Sequence, residues 1–204
     1  MKILKTPFNK QQNDLLKKDI RIVILAFSFL LVSMFSLSAQ TPRQDSGADG
    51  PKALSPLRVG DHVPKDFWEQ KVKIYHKGDT AIIDLKRYKG KPLLLDFWTT
   101  WCASCIEGMP KLVDIQNSYN GQMNILLVNP EFSKGNYVRI HGMKSDFLRT
   151  NDLTTVFEDS YLTDLLPFAA VPYYVWINAN GRIAAGTFAQ FVTNEQINSF
   201  LKYN

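Results

Sequence analysis

A chain of 204 residues, 45% of them hydrophobic and 12% aromatic, has apolar material for one globular core, and this excludes a disordered, collagen-like or repeat-built protein. Its net charge of +5 is concentrated in residues 1–39, leaving 18 of the 24 basic and 17 of the 19 acidic side chains for the rest of the chain. With no basic stripe interleaved with aromatics, nucleic-acid binding is excluded as the basis of function.

In chain order, the first feature is an uncharged run at positions 22–39, IVILAFSFLLVSMFSLSA, preceded by Lys2, Lys5, Lys10, Lys17, Lys18 and Arg21. A basic leader, an apolar stretch and small residues at its end form an export signal over residues 1–40. It is either cleaved near Ala39-Gln40 or kept as a membrane anchor, since its length is at the short limit for spanning. Residues 41–56, TPRQDSGADGPKALSP, hold too little apolar surface to be buried and read as a linker. The folded domain is expected over residues 57–204.

That domain opens with a hairpin, Val72 to Tyr75 and Thr80 to Ile83 around Lys77-Gly78. Pro92 to Trp98 is an apolar run of buried-strand length, and Met109 to Tyr119 follows helical spacing to a stop at Asn120-Gly121. Met123 to Asn129 is a second apolar strand, so strand, helix and strand form a parallel crossover unit. Residues 133–166 contain short helical and strand segments with indistinct boundaries, among them Phe147-Leu148, Thr154 to Phe157 and Tyr161 to Leu166. Tyr173 to Ile177, Asn180-Gly181 and Arg182 to Ala185 make a second hairpin, and Glu195 to Tyr203 an amphipathic helix. The expected fold class is α/β, a central mixed sheet flanked by helices.

Cys102 and Cys105 are the only cysteines, and three positions apart they cannot staple distant loops. They fall where a strand turns into a helix. The first turn of a helix offers unpaired N–H groups and partial positive charge that stabilise a thiolate. A cysteine of pKa about 8.5 is only about 3% ionised at pH 7, whereas one of about 7 is half ionised. The competing uses of such a pair are half of a zinc site, haem attachment, or a fixed structural disulfide. Zinc needs about four ligands, and His62, His76 and His141 are isolated in the sequence; haem attachment needs His at position 106, which is Ile. No metal or cofactor is expected.

With Trp98-Thr99-Thr100-Trp101-Cys102-Ala103-Ser104-Cys105 following a buried strand, the sequence resembles thioredoxins, and more closely the exported disulfide reductases of the TlpA/ResA type. Val59-Gly60-Asp61 with Pro64, Leu85 to Pro92, Met109-Pro110 and Val171-Pro172 also match that pattern. The resemblance implies a thioredoxin-like fold with an N-terminal β-hairpin and a TlpA-like insertion between the cysteines and Pro172. It implies that Cys102 attacks, Cys105 resolves, and Asp96, six residues before Cys102, takes the resolving proton. Trp101 would wall the site, and Pro172, in cis, would face the cysteines while Val171 holds an extended substrate. We expect Trp101, Phe168 and Tyr173 to border a groove for that substrate. The implied function is reduction of disulfides in envelope proteins by a periplasmic monomer, soluble or tethered, recharged by a membrane electron donor. A disulfide oxidase or isomerase is the alternative enzyme, and a binding domain with a locked disulfide the non-catalytic one.

Two departures from the pattern bear on redox direction. The usual Glu three residues after the second cysteine is replaced by Gly108, with Glu107 one position early, and the Ala103-Ser104 spacer is neither Gly-Pro nor Pro-His. Thr99 matches the peroxiredoxin threonine, but Leu95 stands where that family has proline, which leaves peroxidase activity a minor alternative.

Overall fold

The computed structural model describes residues 54–203. The apolar run at 22–39 and most of the 41–56 linker lie outside the described residues. In chain order the elements are β1 (Lys71–His76), β2 (Asp79–Asp84), β3 (Leu93–Phe97), α1 (Ala103–Ser118), β4 (Asn124–Pro130), α2 (Tyr137–His141), α3 (Phe147–Thr150), β5 (Thr154–Asp159), α4 (Tyr161–Leu165), β6 (Tyr173–Ile177), β7 (Ile183–Thr187) and α5 (Asn194–Lys202).

The strands form one mixed sheet in the order β2-β1-β5-β4-β3-β6-β7. β3 runs parallel to β4 and β4 to β5, while β6, β7, β1 and β2 join antiparallel. Every residue of β3 is buried, as expected of a strand covered on both faces, and this is why it reads as an unbroken apolar run. Both hairpins turn through left-handed residues: Lys77 and Gly78 between β1 and β2, and Gly181 between β6 and β7. At the second, the Asn178 side-chain oxygen accepts from the backbone N–H groups of Asn180 (3.1 Å) and Arg182 (2.8 Å). Gly78 and Gly181 meet positive φ at no steric cost.

The pleat separates two apolar layers. Leu94 and Trp98 of β3 and its extension, Ile125 and Leu127 of β4, and Tyr174 and Trp176 of β6 face α1 and α5. Leu93, Leu95, Phe97, Leu126, Val128, Val175 and Ile177 face the opposite layer, built from Phe67, Trp68, Leu85, Tyr88 and α4. α1 buries Cys105, Met109, Leu112 and Ile115 along one stripe. Each of the last three contributes about 2 kcal/mol of apolar burial. Its C-terminal end is tied to α5 by the Tyr119 hydroxyl, which donates to Asn198 Oδ1 at 2.9 Å.

Boundaries differ from the sequence expectations in α1 and β7. α1 begins at Ala103 rather than Met109, so Cys105 lies inside its first turn and only Cys102 occupies the turn before it. β7 spans Ile183–Thr187, extending past the expected Ala185. The indistinct region yields α2, α3, β5 and α4, and β5 is an interior strand between β1 and β4. Leu57 N–H donates to the Leu165 carbonyl at 2.8 Å, tying the start of the expected domain to α4.

Candidate active site

The two cysteines are joined in a disulfide, with Cα atoms 5.3 Å apart. Cys102 is the N-cap of α1, and its sulfur accepts from Cys105 N–H at 3.2 Å. Ser104 Oγ lies 3.5 Å from the same sulfur. Cys102 keeps 7% of its surface exposed and Cys105 only 1%. The order of accessibility therefore separates an outer from an inner thiol. Both donors converge on the outer one, which is the arrangement that stabilises its thiolate in the reduced state.

β3 delivers the chain to this turn. After Phe97, Trp98 N–H donates to the Val128 carbonyl (3.0 Å), and its indole Nε1 donates to Thr155 Oγ1 of β5 (2.8 Å). Cys102 N–H then donates to the Thr99 carbonyl at 3.1 Å, closing the turn. Thr99 is fully buried and its Oγ1 has no hydrogen-bond partner among the described residues. Trp101 stands out from the turn at 65% exposure.

Asp96 lies on the α1 face of β3, between Leu94 and Trp98. It is fully buried, and neither carboxylate oxygen has a hydrogen-bond partner among the described residues. Burial pushes its pKa up to about 8. Tyr174, paired with it across the β3–β6 ladder, has its phenol raised by burial first and by the Asp96 charge second. A second buried acid supplies the contrast. Asp159 accepts from Leu162 N–H (3.1 Å), Thr163 N–H (2.9 Å) and Thr163 Oγ1 (2.9 Å), holding the start of α4. A carboxyl kept for structure is satisfied in this way. Asp96 has no such partners among the described residues.

The Val171-Pro172 peptide bond is cis. β6 begins one residue later, with Tyr173 paired to Phe97. The antiparallel pairing therefore puts Pro172 and the turn at 98–102 at the same end of the sheet. Val171 packs against both apolar layers.

The expected groove residues are divided between faces. Phe168 and Tyr173 pack with the layer opposite α1, because Tyr173 is one residue out of phase with Tyr174 in the pleat. Phe168 contacts Phe97, with ring centroids 4.6 Å apart. A row of rings continues from Phe132 through Phe168 and Tyr173 to Phe188, with centroids 6.2, 6.0 and 5.7 Å apart. Phe132 and Phe188 are exposed at its two ends. Among the described residues no ring contact joins Trp101 to this row. Trp98, Tyr174 and Trp176 are core residues.

Gly108 would have open space around an added Cβ, and Glu107 is exposed on the outer side of α1. His76 contacts Thr154 and Asp152, and His141 contacts Tyr75. Among the described residues no group of three metal-ligating side chains comes together, and no helix is long and apolar enough to cross a membrane. Asn129, Ser133 and Thr155 are buried polar residues around the turn that the sequence reading did not single out. Their common signal is a polar residue at or just beyond an apolar strand.

No family model matches the chain. It is 39% identical over 62 residues to the thiol-disulfide oxidoreductase ResA of Oceanobacillus iheyensis, covering 30% of this chain and 31% of that protein. It is 34% identical over 89 residues to the thiol:disulfide interchange protein DsbE of Vibrio cholerae, covering 44% of each. The chain thus spans less than half the length of these two relatives. Among solved structures, one described as a thiol:disulfide interchange protein DsbE from Chlorobium tepidum superposes with a TM-score of 0.51 at 20% identity, over 71% of this chain and 99% of that one. Another, described as an electron transfer protein from Aquifex aeolicus, gives 0.52 at 15% identity, over 71% and 92%. The fold is the thioredoxin-like α/β fold, and the sequence similarity is to thiol-disulfide oxidoreductases of the ResA and DsbE type.

Proposed function

We propose that the chain is an exported thiol-disulfide oxidoreductase that reduces disulfides of envelope proteins. The observation that carries this is a Cys102–Cys105 disulfide capping α1, its outer sulfur met by a backbone N–H, with a buried carboxyl on the strand behind it that has no hydrogen-bond partner among the described residues. Export is supported by the apolar run at 22–39 behind its basic leader.

In the reduced protein, the Cys102 thiolate attacks one sulfur of the substrate disulfide. A mixed disulfide forms and the other substrate sulfur leaves as thiolate. The ionised form of Asp96 takes the proton of Cys105, whose thiolate then attacks Cys102 and expels the second substrate sulfur. The substrate gains two electrons and two protons overall, and the enzyme is left in the disulfide state described here. The thiol pair itself carries the electrons, so no cofactor enters. An external dithiol donor, membrane-bound in the pathway we propose, restores the reduced form. Cys105 being already in place makes resolution intramolecular, which is worth far more than the gain in thiolate fraction.

The substrate is an extended protein segment. Val171 and the cis Pro172 hold its backbone at the cysteine end of the sheet, the exposed Trp101 lies on one side, and the Phe132–Phe168–Tyr173–Phe188 row gives it an apolar shelf. The same donors on Cys102 favour a second reading. Stabilising the thiolate stabilises the reduced form, which is how a thioredoxin fold becomes an oxidant.

The test is catalysed reduction of insulin by the full chain in the presence of dithiothreitol. Turnover well above the uncatalysed rate is expected, and a rate equal to background would reject the reading. In the same assay Phe168→Ala is expected to lower kcat/KM for insulin about five- to tenfold, the loss of one aromatic contact, with a smaller effect on a small aromatic disulfide. Unchanged insulin turnover in that variant would remove the shelf from the account.

A further inference from the structure

We propose that Asn129 is a positioning residue for the redox turn, coupling its geometry to the turn at 131–135 that follows β4. This role rests on the redox reading of Cys102. The Asn129 side chain is fully buried at the end of β4. Its Nδ2 donates to the Trp98 carbonyl at 3.3 Å, four residues before Cys102. Its Oδ1 accepts from Ser133 Oγ at 2.7 Å. The orientation of the amide is thereby fixed, since a carbonyl only accepts and the NH2 end must face Trp98.

Ser133 is held in turn. Its hydroxyl also lies 2.7 Å from the Pro130 carbonyl, and it accepts from Gly135 N–H at 3.2 Å. Gly135 is itself buried, and a Cβ there would fall 1.9 Å from Asn129 Oδ1. Side chain and turn therefore fit only with glycine at 135.

The reach to the cysteine is short. Trp98 N–H and indole are already bound to β4 and β5, so its carbonyl is the remaining freedom of the residue. Fixing that carbonyl fixes the plane of the Trp98–Thr99 peptide, from which the chain enters the turn where the Thr99 carbonyl receives Cys102 N–H. Without Asn129 the Trp98 carbonyl is a buried acceptor with no side-chain donor among the described residues. Such a group is relieved by rotation of the peptide or by entry of water. Either movement takes Cys102 away from the Cys105 N–H that its sulfur accepts.

The experiment measures the thiol itself, on the reduced full chain: the rate of Cys102 alkylation by iodoacetamide as a function of pH, alongside thermal melting. In Asn129→Ala the alkylation midpoint is expected to rise by about one pH unit, and from a midpoint of about 7 the rate at pH 7 to fall about fivefold with the thiolate fraction. Ser133→Ala and Gly135→Ala are expected to shift the profile in the same direction. The Asn129→Ala, Ser133→Ala double variant should go no further than Asn129→Ala alone, because the serine acts through the asparagine. A lowered melting temperature with a wild-type alkylation profile would overturn the proposal, leaving Asn129 a purely structural residue. If Asn129→Ala does not fold, Ser133→Ala carries the test, and a wild-type profile there overturns it equally. If wild-type protein fails to reduce insulin while the profile still shifts, the disulfide-reductase reading falls and the positioning role stands.

Discussion

Cys102→Ser is expected to bring disulfide turnover down to the uncatalysed rate, while Cys105→Ser is expected to halt the reaction one step later and accumulate mixed disulfides. The two thiols differ in what they can reach. Cys102 has surface open to solvent and two donors at its sulfur; Cys105 is closed off within the first turn of α1. Serine at 102 leaves no accessible thiolate, and an alkoxide is not available at neutral pH. Serine at 105 leaves the first attack intact but removes the only thiol placed to displace the substrate. The mixed disulfide then waits for an external thiol, and its lifetime lengthens by the effective molarity lost, several orders of magnitude. Non-reducing gels of the Cys105→Ser protein isolated from cells should show adducts that disappear with dithiothreitol and are missing from Cys102→Ser. Adducts on Cys105 in the Cys102→Ser protein would reverse the assignment of roles.

Asp96→Asn is expected to act on both stability and rate, each with a defined pH window. The Asp96 carboxyl is raised by burial from 3.8 to about 8. Between those values the folded protein holds a proton that the unfolded chain has released, so wild-type stability falls as pH rises from about 4 to about 8. Asparagine does not titrate. The variant should therefore lack this decline and be more stable than wild type at pH 8, by on the order of 5 kcal/mol for a shift of about four pH units. Denaturant unfolding at pH 5 and pH 8 measures it. The rate moves the opposite way. In the proposed reaction ionised Asp96 accepts the proton of Cys105, so wild-type resolution should accelerate with pH up to about 8, and Asn should slow it about 100-fold and remove that inflection. A variant that resolves at the wild-type rate would make Asp96 a buried acid without a part in the reaction.

The parts of the molecule legible in the sequence are those whose signal is local. β3, β4 and β6 are continuous apolar runs because both faces of the central sheet are covered, and Lys77-Gly78 and Asn180-Gly181 mark the two hairpin turns by composition alone. The cysteine spacing and the six-residue offset of Asp96 are equally local. β5 was indistinct because its interior position depends on pairing with β1 and β4, and two of its buried residues, Thr155 and Asp159, are polar and satisfied by other groups. The division of Trp101 from Phe168 and Tyr173 turns on pleat phase, which is set only once Tyr173 pairs with Phe97. Asn129 looks like an ordinary strand-ending asparagine. Its meaning lies in Trp98, thirty-one positions away.

In the proposed reaction Cys102 and Cys105 cycle between disulfide and dithiol. The most direct test is equilibrium titration of the pair in glutathione and dithiothreitol buffers at pH 7. A reduction potential between about −270 and −120 mV is expected, the range of thioredoxin-fold oxidoreductases, with the reductase reading at the negative end and the oxidase reading at the positive end. A potential below about −300 mV would make the bond a locked structural disulfide and contradict the account.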